Sequence, residues 1–274
     1  MPLPGARYVD VPDEPIDVCG RSGAGRQQRR DDRHRSRLPH RACYTVSMHY
    51  DAVMFDLDGT LADTLRDIAE AGNYALTQLG HAALPVARYR YLAGQGLPYL
   101  VRHALGPDHA GQIEAGIAHF RSHYDRHRYD HTGLFAGIAE LLDALVEADA
   151  ALAVLSNKPH DATLEMVDKL FARWRWSAVA GARADVPLKP DAGAARMIAT
   201  ELNIGPERWV YVGDTMVDMQ TGRSAGMFTV GVTWGFRDEA ELREHGADAI
   251  IHRPGELLPL LDGQKQPSRA AHRS

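Results

Sequence analysis

The chain holds 274 residues, 45% of them hydrophobic and 24% charged. That is the composition of a globular protein of one large or two modest domains, and it excludes a collagen, a coiled coil and a disulfide scaffold. The longest apolar stretches fall far short of the roughly 20 residues that cross a bilayer, so no membrane partner is expected. Both cysteines, Cys19 and Cys43, precede residue 48, which leaves the rest of the chain without a thiol for a zinc ribbon or a nucleophile. The net charge of −5 is uneven: nine Arg oppose six acids before residue 48, and the remainder carries −8. That surplus of acid argues against a nucleic-acid partner.

Residues 1–47 contain no apolar repeat of period 3.6 or 2 and read as a disordered, Arg-rich tail, because such a stretch cannot bury enough apolar surface to offset its ordering entropy. Asp10, Asp13, Glu14 and Asp17 are wrong for a transit peptide. A translational start at Met48 is a further reading, which a native peptide spanning Ser47 and Met48 would refute. Residues 263–274 are expected to form a second disordered tail.

The first apolar run covers residues 52–55 and ends in a polar loop, as a buried parallel strand would. From residue 64 to 131 the pattern is helical, with Leu65, Ile68, Ala69, Leu76 and Leu79 at helix spacing and no convincing strand. Within it, Gly94-Gln95-Gly96 is not a dinucleotide fingerprint, because Tyr99 occupies the third glycine's place. His119, His123, His127 and His131 recur every four residues, the spacing of an HxxxH metal site, but no carboxylate completes a zincin motif and a partly exposed helix is the default reading. Strand-like runs then recur at 151–155, 178–181, 209–212, 228–232 and 249–251, separated by helical patterns such as Ile138, Leu141, Leu142, Leu145 and Val146. Trp174 and Trp176 are expected at the sheet edge. This alternation predicts an α/β fold: a doubly wound parallel sheet from residues 48–63 and 132–262, with a small all-helical cap, 64–131, inserted after the first strand. The cap then sits above the carboxyl ends of the strands, where open α/β sheets place their ligand sites.

Polar groups end or follow four of these runs: Asp56 and Asp58, then Ser156 and Asn157, then Lys189, then Asp214 and Asp218. Carboxylates brought to one rim repel unless a cation joins them, and oxygen-only ligands select a hard ion such as Mg²⁺. A carboxylate can act as a nucleophile toward phosphorus when the phosphoryl charge is neutralised. Lys189 offers a fixed positive charge and the Ser156 hydroxyl a donor. Asp58 is placed to protonate a leaving oxygen and then to activate water. Set against this, Asp214 and Asp218 could merely start the following helix, and Ser156 could be an ordinary cap.

Asp56-Leu57-Asp58-Gly59-Thr60-Leu61, Leu155-Ser156-Asn157-Lys158, Lys189-Pro190 and Gly213-Asp214-Thr215-Met216-Val217-Asp218 resemble, in order, the four motifs of the haloacid dehalogenase superfamily. The resemblance runs from about residue 48 to 261 and is strongest to the phosphoglycolate phosphatase group, because the helical insert lies between the first two motifs. It implies a Rossmann-like core, Mg²⁺ dependence, a cytoplasmic location and hydrolysis of a small phosphorylated metabolite, 2-phosphoglycolate first among them. Carried over by motif, Asp56 is nucleophile and metal ligand, Asp58 the acid and base whose backbone carbonyl also meets the metal, Asp214 a further ligand and Asp218 a more distant or water-mediated one. Thr60, Ser156 and Asn157 would bind phosphate, and Lys189 would steady nucleophile and phosphate. Gly96 and Arg102 fall where the family holds a cap loop over its substrate. Members resembling dehalogenases lack the second aspartate, so Asp58 favours phosphoryl chemistry. A phosphomutase or pyrophosphatase shares the same core motifs, and a phospho-acceptor signalling module gathers similar groups on a shorter, capless chain. The oligomeric state is left open.

Overall fold

The computed structural model describes residues 6–8 and 49–262; Cys19, Cys43, Met48 and the expected carboxyl-terminal tail lie outside them. The strands are β1 (Arg7–Tyr8), β2 (Ala52–Phe55), β3 (Ala62–Asp63), β4 (Gly133–Leu134), β5 (Ala151–Pro159), β6 (Ala178–Ala182), β7 (Trp209–Gly213), β8 (Phe228–Val232) and β9 (Ala249–Ile251). The α-helices are α1 (Leu65–Gln78), α2 (Val86–Tyr89), α3 (Leu97–Leu105), α4 (Ile113–His127), α5 (Ile138–Glu147), α6 (His160–Leu170), α7 (Gly193–Glu201), α8 (Met216–Ala225), α9 (Glu239–Glu244) and α10 (Leu258–Leu261).

Seven strands form one sheet in the order β1-β6-β5-β2-β7-β8-β9, parallel throughout except for β1. The antiparallel pairing of Arg7 with Val179 and Tyr8 with Ala178 gives residues 6–8, which the sequence reading assigns to the tail, a place at the sheet edge. All four residues of β2 are buried, because a central parallel strand is covered on both faces; hence its unbroken apolar run. Alternate residues serve opposite layers. Val53 and Phe55 join Leu141, Leu145, Met166 and Val167 on one face, with Trp176 set edge-on to Phe55, while Ala52 and Met54 join Ala195, Ile198 and Tyr211 on the other.

Register decides where the polar residues fall. Phe55 lies opposite Val154 on one side and Val212 on the other, so β2, β5 and β7 end level and the residues after them share one rim. The chain runs from β2 to β5 on one side and later returns to β7 on the other, which makes this rim the topological switch point.

The ribbon β3–β4 carries the chain out of the sheet layer and back. Between its strands lie α1 to α4, whose apolar faces close a core of their own around Ile68, Leu76, Tyr89, Leu100, Ile117 and Phe120. Asp67, on the first turn of α1, accepts hydrogen bonds from the His131 and Thr132 backbone N–H groups and from the Thr132 hydroxyl, and so ties the departing helix to the returning strand.

Candidate active site

Asp56 continues the β2 ladder through its N–H to Val212 O at 3.0 Å, which aims its side chain into the rim. The loop then turns back so tightly that Leu61 and Ala62 both donate to Leu57 O, and Gly59 adopts a φ of +89°. Glycine is required here twice over: it reaches that φ without strain, and a Cβ would stand 2.3 Å from Asp214 Oδ2.

Lys189 Nζ lies 2.9 Å from Asp56 Oδ1 and 2.7 Å from Asp218 Oδ1, with its side chain 2% exposed. Asn157 holds it there. The Asn157 amide donates to Lys189 O and to Gly94 O in the cap, and its carbonyl oxygen accepts from Lys189 N–H. Asp218 Oδ2 accepts from the Thr215 N–H and hydroxyl and caps α8, so the helix-capping and site roles coexist in one carboxylate. Asp214 accepts from Thr60 Oγ1 at 3.1 Å and from Phe236 N–H at 2.7 Å.

Ligand oxygens of Asp56, Asp214 and Asp218 lie within 4.8 Å of one another, all three residues buried. Three carboxylates thus face one ammonium. Burial pushes the Asp56 carboxyl up to about 7 even though Lys189 beside it pulls the other way, and burial with the Asp218 and Asp56 charges pushes Asp214 well above the carboxylate range. Burial would lower Lys189, but Asp218 and Asp56 outweigh it and hold the amine far above its ordinary value. Asp56 Oδ1 is buried without a well-directed hydrogen bond. An all-oxygen nest with more negative than positive charge fits a hard divalent cation.

Asp58 stands apart from this group. Its carboxylate pairs with Lys158 Nζ at 3.0 Å and 3.2 Å, and Lys158 in turn reaches Tyr124 Oη, on cap helix α4, at 2.6 Å. Burial would lower the Lys158 pKa, but Asp58 and Tyr124 raise it further, so this amine stays charged. Asp56 and Asp58 line a cavity of ≈ 560 Å³ between cap and core, together with Ser156, Asn157 and Gly96.

Of the site residues expected from the sequence, Asp56, Lys189, Asp214 and Asp218 meet directly, and Asp58, Ser156, Asn157 and Gly96 share the cavity. Two differ from expectation. Arg102 is exposed on α3 and absent from the cavity wall: the face bearing Leu97, Leu100, Val101 and Leu105 is buried, and position 102 falls off it. Thr60 does not line the cavity either; its hydroxyl is spent on Asp214. The Asn157 side chain, though at the wall, is occupied by protein partners. His131 lies beyond α4, and His123 packs its ring on Tyr74 and His127 at centroid distances of 4.7 Å and 4.4 Å. Asp67, Glu70 and His131 also bring ligand atoms within 4.8 Å, but the Asp67 oxygens already accept hydrogen bonds.

Sequence reasoning gave no role to a strap after β8. Trp234 Nε1 donates to Thr60 O, Phe236 N–H to Asp214, and Arg237 Nη2 to Ala93 O in the cap. From the cap, Arg90 donates to Gly235 O at 2.6 Å and Phe236 O at 3.0 Å. Gly235 presses on the site: a Cβ there would lie 2.3 Å from Gly59 O and 2.4 Å from Asp214 Oδ2. A glycine between Trp234 and Phe236 is the only signal the sequence offers.

The sheet thus carries paired aspartates at its switch point with a helical cap over them, the frame of a capped α/β hydrolase. The sequence profile of haloacid dehalogenase-like hydrolases matches residues 53–232, and the chain belongs to that family. It is 30% identical over 218 residues to a phosphoglycolate phosphatase of Chromobacterium violaceum, covering 78% of this chain and 97% of that one. It is 32% identical over 220 residues to the plasmid phosphoglycolate phosphatase of Cupriavidus necator, covering 79% and 95%. A haloacid dehalogenase-like hydrolase of Streptococcus pneumoniae superposes with a TM-score of 0.70 at 27% identity, covering 77% of this chain and 98% of that one. Within its family the protein is a phosphatase, a phosphoric monoester hydrolase. Among the described residues no helix is long and apolar enough to cross a membrane.

Proposed function

We propose that the protein hydrolyses a small phosphomonoester through an aspartyl-phosphate on Asp56, with Mg²⁺ held by Asp56 and Asp214, by the Asp58 backbone carbonyl and, at greater distance, by Asp218. What a bound Mg²⁺ supplies is positive charge, which lets an anionic carboxylate approach an anionic phosphoryl group. Lys189 adds a second, fixed charge beside the Asp56 oxygen and holds it in place. An Asp56 oxygen attacks phosphorus as the ester P–O bond breaks, and Asp58, having first taken up a proton from solvent against the pull of Lys158, gives that proton to the leaving oxygen. Asp58 then takes a proton from water as that water attacks the phosphorus of the aspartyl-phosphate, freeing phosphate and restoring both carboxyls. The Ser156 hydroxyl is the donor for a phosphoryl oxygen, and Asn157 braces Lys189 against the cap loop.

The observation that carries this reading is the buried convergence of Asp56, Asp214, Asp218 and Lys189 at strand ends held level by register. 2-Phosphoglycolate, the ester in the relatives' names, is the first substrate to assay, and the cytoplasm is the compartment in which we place the enzyme. Asp56→Asn tests the reading: it should fold and lose Mg²⁺-dependent hydrolysis of p-nitrophenyl phosphate by at least about 10³-fold. Retained turnover would refute the covalent route.

A further inference from the structure

Asp58, to which the phosphatase reading gives both proton transfers, ends a chain of side chains that begins in the cap. Its two carboxylate oxygens accept from Lys158 Nζ, at 3.0 Å and 3.2 Å. Lys158 lies near the end of β5 with its side chain 4% exposed. A lysine carries its charge on a flexible four-carbon stem, so a single carboxylate partner defines its place only loosely. Tyr124 supplies the second fix. Its hydroxyl accepts from Lys158 Nζ at 2.6 Å, and its ring centroid lies 4.7 Å from the same nitrogen.

Tyr124 is itself pinned. It is buried on α4, its ring stacks on Phe120 with centroids 5.3 Å apart, and the Arg128 guanidinium lies 5.9 Å from its centroid. Arg128 in turn pairs with Glu165 of α6 at 2.8 Å. The cation beside Asp58 is thus held by a cap residue 34 positions away in the sequence. Lys158 opposes protonation of Asp58, so what it brings to an acid is position and not proton affinity. Position counts for much in such a step, since a misplacement of about 1 Å can cost about 10²-fold in rate.

Resting on the phosphatase reading, we propose that Tyr124 is a positioning residue for the Asp58 proton transfers. It fixes Lys158, and Lys158 fixes the Asp58 carboxyl where it reaches the leaving oxygen.

Benzyl, phenyl and p-nitrophenyl phosphate, esters of similar size, test this with the purified full chain and Mg²⁺. The nitrophenolate leaves without a proton, whereas the benzyl oxygen needs one, and a positioned acid supplies about 10²- to 10⁴-fold there. Tyr124→Phe keeps the ring and removes the hydroxyl. Its loss in kcat/KM should be at least tenfold greater for benzyl than for p-nitrophenyl phosphate, with the circular dichroism spectrum unchanged. A cap displaced as a whole would lower all three alike, so equal losses, or none, overturn the proposal. In a Lys158→Met background the same change should no longer separate the esters; a separation that persists there shows that Tyr124 does not act through Lys158 and also overturns it. If the variants do not fold, the unmodified enzyme decides. Its crystal structure with Mg²⁺ and beryllofluoride on Asp56 should keep Lys158 on both Asp58 and Tyr124, and a Lys158 turned away from either refutes the proposal. Asp58→Asn distinguishes the two readings: losses that ignore the leaving group there defeat the acid role of Asp58, on which this inference rests.

Discussion

At the rim of the sheet, three carboxylates and an ammonium are packed almost out of contact with water, with more negative than positive charge among them. On the cap side of the same cavity the charged side chains are largely paired or exposed, and the rest of the wall is aliphatic or aromatic. Burial of Asp56 and Asp214 carries a desolvation cost, which Lys189 offsets only in part at Asp56. The contrast separates two tasks. On the reading proposed above, the groups held at an energetic loss are the ones that do the chemistry.

The contrast is broken most severely by removing the ammonium that faces Asp56 and Asp218. Lys189→Met leaves three buried carboxylates facing one another, and it should cost roughly 3–5 kcal/mol in urea unfolding of the metal-free protein at pH 8. Turnover should fall with it. A cost below about 1 kcal/mol would mean that the acids are better solvated than their burial implies.

A second test uses pH. The Asp56 carboxyl stands at about 7 in the folded, metal-free protein against 3.8 for the free side chain, so the folded state binds this proton more tightly. Its contribution to stability is therefore complete below pH 3.8, and it is lost as pH rises through about 7. Thermal unfolding in EDTA should show stability falling between pH 5 and 8 by about 3 kcal/mol at most. Asp56→Asn should remove that part of the slope and raise the metal-free melting temperature at pH 8. An unchanged slope in Asp56→Asn would show that Asp56 is not the group responsible.

A smaller effect is expected where cap and rim meet. Arg90→Ala removes two hydrogen bonds to the strap that carries the Phe236 N–H to Asp214. The Mg²⁺ concentration for half-maximal thermal stabilisation should rise about tenfold, as for other groups that orient metal ligands. No change would uncouple the strap from the metal site. Smallest of all, Arg102→Ala should leave kcat/KM within about twofold on any ester, because this exposed side chain takes no part in the cavity wall.

These differences follow the division between what is and is not legible in the sequence. The strands were readable because parallel strands buried on both faces give unbroken apolar runs, and Asp56, Lys189 and Asp214 were readable because each ends or follows such a run or sits in a motif. The cap was legible only as helix. Whether Arg102 faces the cavity depends on the rotation of α3, which apolar spacing fixes only once the neighbouring helices are in place. Lys158 carries no signal of its role in the sequence, because its partner Tyr124 lies 34 residues away across the cap–core boundary. The strap at Trp234 to Arg237 works mainly through backbone groups, which leave little trace in residue identity.

The central claim is that an oxygen of Asp56 becomes bonded to phosphorus, and chemical trapping tests it most directly. Borohydride added during turnover with Mg²⁺ and p-nitrophenyl phosphate reduces an acyl phosphate to an alcohol, so mass spectrometry of the digested protein should find homoserine at position 56. Aspartate intact at position 56 under full turnover, or homoserine at another position, would contradict the account.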